Sequence, residues 1–214
     1  EEPEWAFAIK RRFEESIAEA VKSDAFPMKP QRIVADIRKA LSDPEDILIS
    51  DVGAHKMWIG RLYGCYKPET CIISNGFASM GIGVPGAVAA KLVYPERHVL
   101  VATGDGGFMM NSQELETAVR LGLNFVVVIF HDSEYGLIKW KEQEQYGRAA
   151  FVDFTNPDFV ALAEAMHCKG VRISSADELG EAIQKGFEEK VPVIIDTPVD
   201  YSANEELSAE LRSL

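Results

Sequence analysis

The stretch HVLVATGDGGFMMNSQELETAVRLGLNFVVVIFHD, residues 98–132, holds two apolar runs that each lead into a carboxylate, Asp105 and Asp132. The runs HVLVAT (98–103) and NFVVVIF (124–130) are short and continuously apolar rather than alternating. Strands of that kind are covered on both faces, which points to a parallel sheet between two layers of helices. Residues 111–122, between the runs, have helical spacing, with Leu115, Ala118 and Val119 as an inward stripe. Asn111 and Glu114 are spaced as a capping box for the start of that helix.

The alternation repeats outward in both directions. DILIS (46–50), TCIIS (70–74), GVRIS (170–174) and PVIID (192–196) read as four more strands. Helices are expected over 55–64, 135–146, 156–167 and 176–189, and in the small-residue half of NGFASMGIGVPGAVAAKLV (75–93). The expectation is an α/β fold: a three-layer domain on a six-stranded, mostly parallel sheet. It spans residues 27–200, and the two prolines of PMKPQ (27–31) mark its start. Residues 1–26 lack an initiating Met and read as a charged helix and linker from a preceding domain, so a longer parent polypeptide is expected. Residues 201–214 read as a polar tail over the surface.

The formal net charge of -12 speaks against a nucleic-acid backbone or an anionic membrane as partner. It leaves room for a small anionic ligand, because local amide donors and a metal outweigh a distant net charge. No apolar run reaches the length of a membrane span, and no signal peptide is visible. Cys65, Cys71 and Cys168 show no C-x-x-C spacing and read as reduced thiols of a cytoplasmic protein.

Ligands of parallel sheets bind outside the carboxyl ends of the strands. Asp105 and Asp132 stand at two such ends, where like charges repel unless a cation lies between them. Gly104, Gly106 and Gly107 let the backbone approach a ligand closely. Carboxylates, bare amides and a following helix suit a magnesium–phosphate site. The residues alone fit equally well a plainer reading, in which Asp105 caps a turn and Asp132 begins a loop.

The spacing GDG, 24 residues, then HD resembles the diphosphate-binding motif of thiamine-diphosphate enzymes. With ISDVGAHKMW, ISNGFASMGIGVPGAVAAKLVYP and PVIIDTPVDY it makes residues 49–201 similar to the C-terminal cofactor-binding domain of acetolactate synthases. That resemblance implies thiamine diphosphate and magnesium as cofactors. The metal ligands it implies are Asp105, Asp132 and the main-chain carbonyl of Glu134, with diphosphate oxygens and water completing six oxygens. Val52, Gly53, Ala54 and His55 match the loop that contacts the diphosphate, although a histidine there also reads as a helix cap. Gly106 and Gly107 match the backbone donors, and Gly104, Tyr135 and Gly136 belong to the same cofactor-binding run. Ala78 matches the position whose carbonyl accepts from the aminopyrimidine. Met80 matches the wedge that bends the cofactor, so that its 4′-imino nitrogen reaches the thiazolium C2 proton. Trp140 matches an aromatic of the acceptor pocket. Met80 and Trp140, the two catalytic candidates, also read as ordinary core residues. One departure stands out: the usual paired NN is His131-Asp132 here, a variant that some catabolic acetolactate synthases resemble.

The family's activating glutamate lies in an N-terminal domain and reaches the cofactor from the neighbouring subunit. Nothing in this sequence resembles that domain, nor the central domain that carries FAD in some members. The resemblance therefore implies half an active site, inactive alone. In a homo-oligomeric enzyme it would join pyruvate to a second 2-oxo acid, giving 2-acetolactate and carbon dioxide. Another thiamine-diphosphate 2-oxo-acid decarboxylase or lyase, or a non-catalytic cofactor-binding module, is the alternative.

Overall fold

A computed structural model describes residues 4–204. Helix α1 (Glu4–Ile17) and a short 3-10 turn (Ala20–Lys22) precede α2 (Pro30–Ala40). The alternating body follows: β1 (Ile47–Ser50), α3 (Ala54–Leu62), β2 (Cys71–Ile73), α4 (Gly83–Val93) and β3 (Val99–Gly104). Then come α5 (Asp105–Met110), α6 (Glu114–Arg120), β4 (Val126–His131) and α7 (Gly136–Tyr146). The last elements are α8 (Phe159–Ala165), β5 (Lys169–Arg172), α9 (Glu178–Glu188) and β6 (Val193–Pro198).

All six strands lie in one sheet in the order β2-β1-β3-β4-β6-β5, and every pairing is parallel. The expected α/β three-layer fold is the one observed. Side chains alternate between two cores, as the period of a strand demands. Leu100, Val126, Val128 and Phe130 pack with α2, α3 and α9 on one face; Val101, Val127 and Ile129 pack with α4, α6 and α8 on the other. The middle strands are buried at every residue but their last, which is why their sequences show no alternation.

Strand β1 lies between β2 and β3, so the chain steps to one side after β1 and to the other side at β3. The carboxyl ends of β1 and β3 therefore flank a crevice at a topological switch point, the usual ligand position of such sheets.

Three local expectations are corrected. Helix α2 was not expected, yet Pro30 stands in its first turn and Ile33, Val34, Ile37 and Ala40 give it a buried stripe. The capping box at Asn111 is absent. Residues 105–110 form a separate short helix α5, and α6 starts only at Glu114. Asn111 Nδ2 instead donates to the Gly81 carbonyl at 3.0 Å, and Glu114 accepts from Thr117. The expected surface tail starts by turning inward: Tyr201 packs on the core, and Asn204 accepts from Trp58 Nε1 at 2.7 Å. Residues 205–214 lie outside the described residues. The proline segment is tied to the sheet end, since Met28 is buried and bridges Val199.

Candidate cofactor site

The strand ends open into a cleft of about 210 Å³. Val52, Gly53, Ala54 and His55 line it from the end of β1, and Gly104, Asp105, Gly106 and Gly107 from the end of β3. Asp132, Glu134, Tyr135 and Gly136 line it from the end of β4, and Ala78 and Met80 from the loop before α4. Residues separated by more than eighty positions thus meet because β1, β3 and β4 are neighbours in the sheet. Trp140 does not line this cleft. Its ring is buried, its Nε1 donates to Glu144, and it borders an adjoining cavity of about 670 Å³ with His131, Ser133 and Lys139.

Asp105 is fully buried. Its Oδ1 accepts the Gly106 amide at 2.7 Å, and its Oδ2 accepts the Ser133 amide at 2.6 Å and Asn156 Nδ2 at 2.8 Å. Asp132 accepts the Glu134 amide at 3.3 Å. Burial, then the negative charge of Asp105, pushes the Asp132 carboxyl up to about 7. Two carboxylates drawn together in this way fit a site completed by a cation. The Glu134 carboxylate takes no part, because it pairs with Lys139. Among the described residues no three His, Cys, Asp or Glu side chains converge as a metal site. Magnesium here would rest on two carboxylates, a main-chain carbonyl and oxygens of its ligand.

The space is shaped for close approach at Gly136. A Cβ there would stand 2.6 Å from Asp132 Oδ2, so any side chain would displace that carboxylate. His55 is buried in the first turn of α3, and burial chiefly lowers its imidazole to about 4, which keeps it neutral. Among the described residues its Nε2 has no hydrogen-bond partner. That buried, unpartnered nitrogen is open to a polar group of a bound ligand.

The sequence reading missed several groups. Asp51, directly after β1, is buried and holds the loop that carries Ala78 and Met80. Tyr201 walls both cavities, and burial, then the charges of Asp132 and Asp105, pushes its phenol well above the usual range. Asn156 and Ser133 complete the shell around Asp105. His131 points away from the cleft, with Nδ1 2.7 Å from Asp196 and Nε2 3.1 Å from Ser133 Oγ.

Residues 51–197 match the family model described as "Thiamine pyrophosphate enzyme, C-terminal TPP binding domain". This chain belongs to that family of thiamine pyrophosphate-binding domains. Among its relatives is an acetolactate synthase of Bacillus subtilis, 39% identical over 181 residues, which are 85% of this chain and 32% of the relative. A catabolic acetolactate synthase of Raoultella terrigena is 35% identical over 186 residues, 87% of this chain and 33% of the relative. The mitochondrial catalytic subunit of acetolactate synthase from Saccharomyces cerevisiae is 31% identical over 204 residues, 94% of this chain and 30% of the relative. The expected resemblance to acetolactate synthases is borne out, and the chain spans about a third of the length of these relatives. The matched segment of this thiamine pyrophosphate-binding domain runs from Asp51 to Thr197, from the end of β1 to β6, and so includes every strand end that lines the cleft. Among the described residues no helix is long and apolar enough to cross a membrane.

Proposed function

We propose that this thiamine pyrophosphate-binding domain supplies the diphosphate-and-magnesium half of an acetolactate synthase active site. The observation that carries the reading is the convergence of the β1, β3 and β4 ends on one cleft with a buried carboxylate, Asp105, and a half-buried one, Asp132. In this reading Asp105, Asp132 and the Glu134 carbonyl hold magnesium. His55 and the backbones of Gly53, Gly104 and Gly107 would face the diphosphate, while the Gly106 amide expected there is given to Asp105 Oδ1. Met80 and the Ala78 carbonyl orient the rings. When bound, thiamine diphosphate supplies the carbon nucleophile that releases carbon dioxide from pyruvate and joins the remainder to a second 2-oxo acid. The chain's residues anchor that group and keep its reacting end in place.

The half-site reading has its own support. Among the described residues the one glutamate lining the cleft is Glu134, and its carboxylate is committed to Lys139. The acid that assists the pyrimidine then comes from a further domain or a neighbouring subunit of the complete protein. Without it the chain loses a general-acid contribution of about 10²–10⁴-fold.

Calorimetry of thiamine diphosphate with and without magnesium tests the site, and product analysis with pyruvate tests the reaction. Magnesium-dependent binding and acetolactate from the complete protein are expected. Free acetaldehyde as the main product would replace the synthase with a decarboxylase. Binding unaffected by magnesium would remove the metal assignment.

A further inference from the structure

We infer that Asp51 is a positioning residue, a buried carboxylate that sets where Met80 and Ala78 stand in the cleft by gripping the turn that follows them. The inference rests on the proposed cofactor site but concerns a side chain that does not line the cleft. Asp51 is 1% exposed and follows β1 at the switch point. Its Oδ1 accepts the amides of Val52 at 2.6 Å and Gly81 at 2.9 Å, and its Oδ2 accepts the amide of Gly83 at 2.7 Å. Three backbone amides converging on one buried carboxyl group make a firm clamp. Carboxylate chemistry is required, because only an acceptor on both oxygens satisfies amides on both sides.

The clamp acts on a strained segment. Ala78 has φ +49 and Gly81 has φ +91, both in the left-handed region. An alanine stays there only where its surroundings impose the conformation. The turn is held from its other side too, since Asn111 Nδ2 donates to the Gly81 carbonyl at 3.0 Å. Asp51 also has no slack. A Cβ at Gly83 would lie 3.0 Å from Asp51 Oδ2 and 2.6 Å from Val101 Cγ1, and a Cβ at Gly107 would lie 3.0 Å from Asp51 Oδ1. The starts of α4 and α5 therefore close directly onto one carboxylate, and the loop carrying Met80 has its position fixed relative to the Gly106–Gly107 backbone.

The test uses Asp51→Asn and Asn111→Ala in the complete protein, with Met80→Ala alongside. In the cofactor-free protein, amide hydrogen exchange across residues 76–83 should quicken at least about tenfold in Asp51→Asn while the strands keep their protection. At saturating thiamine diphosphate and magnesium, exchange of the cofactor's C2 hydrogen should slow by about 10–100-fold, the scale of a 1 Å misplacement, with cofactor affinity changed only a few-fold. Asn111→Ala should move both readouts in the same direction by less, and it decides the matter if Asp51→Asn loses protection throughout the fold. Unchanged loop protection, or normal C2 exchange in the Asp51 variant beside slowed exchange in Met80→Ala, overturns the inference. Normal C2 exchange in Met80→Ala overturns the bending role of Met80 instead, and loop protection still decides whether Asp51 is the clamp.

Discussion

The backbone N–H of Ser133 donates to Asp105 Oδ2 at 2.6 Å and ties the turn after β4 to the carboxylate that ends β3. Gly104 and Phe130 are register partners in these adjacent parallel strands, so both ends arrive at one level of the sheet. Asn156 donates to the same carboxylate oxygen and to Ser133 Oγ. Three segments far apart in sequence therefore depend on one side chain, and Asp105 is a structural acceptor as well as a candidate metal ligand.

Asp105→Ala should accordingly do two things. It should remove magnesium-dependent binding of thiamine diphosphate. It should also destabilise the domain by about 1–3 kcal/mol, because half-buried donors on Ser133 and Asn156 lose their acceptor. Asp105→Asn keeps one acceptor oxygen and should cost less stability while still weakening magnesium. Calorimetry and urea unfolding separate the two effects. A stable Asp105→Ala protein would contradict the hydrogen-bonding role.

Gly136→Ala is expected to show the opposite balance. Residue 136 opens α7, where alanine is a better helix former than glycine by about 1 kcal/mol. The new methyl would sit 2.6 Å from Asp132 Oδ2 and must push that carboxylate aside. Stability should hold or rise while magnesium affinity falls by about 10–100-fold, the usual effect of disturbing a ligand's support. Unaltered magnesium affinity would detach Asp132 from the metal.

These two predictions draw on residues that the sequence made visible, and the reasons others stayed hidden are physical. The rule that found Asp105 and Asp132, a carboxylate after a buried strand, applies equally to Asp51 after ILIS. What the sequence could not convey is that its partners are the Gly81 and Gly83 amides, thirty residues away. Tyr201 lay in a stretch whose polar composition suggests solvent, and only the path of the chain past β6 turns it inward. Asn111 and Glu114 have the spacing of a capping box, but tertiary contact with Gly81 claims the Asn111 side chain. Trp140 is four residues beyond Gly136, on the same face of α7, so its ring follows that face into the core beside the larger cavity.

Tyr201 lines both the cleft and that larger cavity, together with Asp132, Glu134 and Gly136. Tyr201→Ala should join the two spaces and cost up to the about 3–5 kcal/mol of a deleted core aromatic. Tyr201→Phe keeps the ring and should cost much less. Thermal unfolding of the two variants checks this, and equal losses would mean that the phenol oxygen rather than the ring matters.

His131→Asn tests the departure from the family's paired asparagines. The His131 side chain faces Asp196, not the cleft, so cofactor and magnesium binding should survive the change. Stability should not. Burial works to raise the Asp196 carboxyl, and the hydrogen bonds from His131 and Arg172 outweigh it and hold the group below its ordinary value. Asparagine is too short to replace the imidazole bridge to both Asp196 and Ser133, so among the described residues the buried carboxylate keeps Arg172 Nε at 3.0 Å as its one side-chain donor. A loss of about 1.5–3 kcal/mol is expected, the value of a hydrogen bond to a charged partner. Asp196→Asn alone should also destabilise, and the double variant should lose less than the sum of the two, which is the mark of a direct interaction. Additive losses would show that His131 and Asp196 act independently. A loss of magnesium binding in His131→Asn would show that the side chain supports Asp132 after all, through Ser133 and the turn that joins it to Asp105.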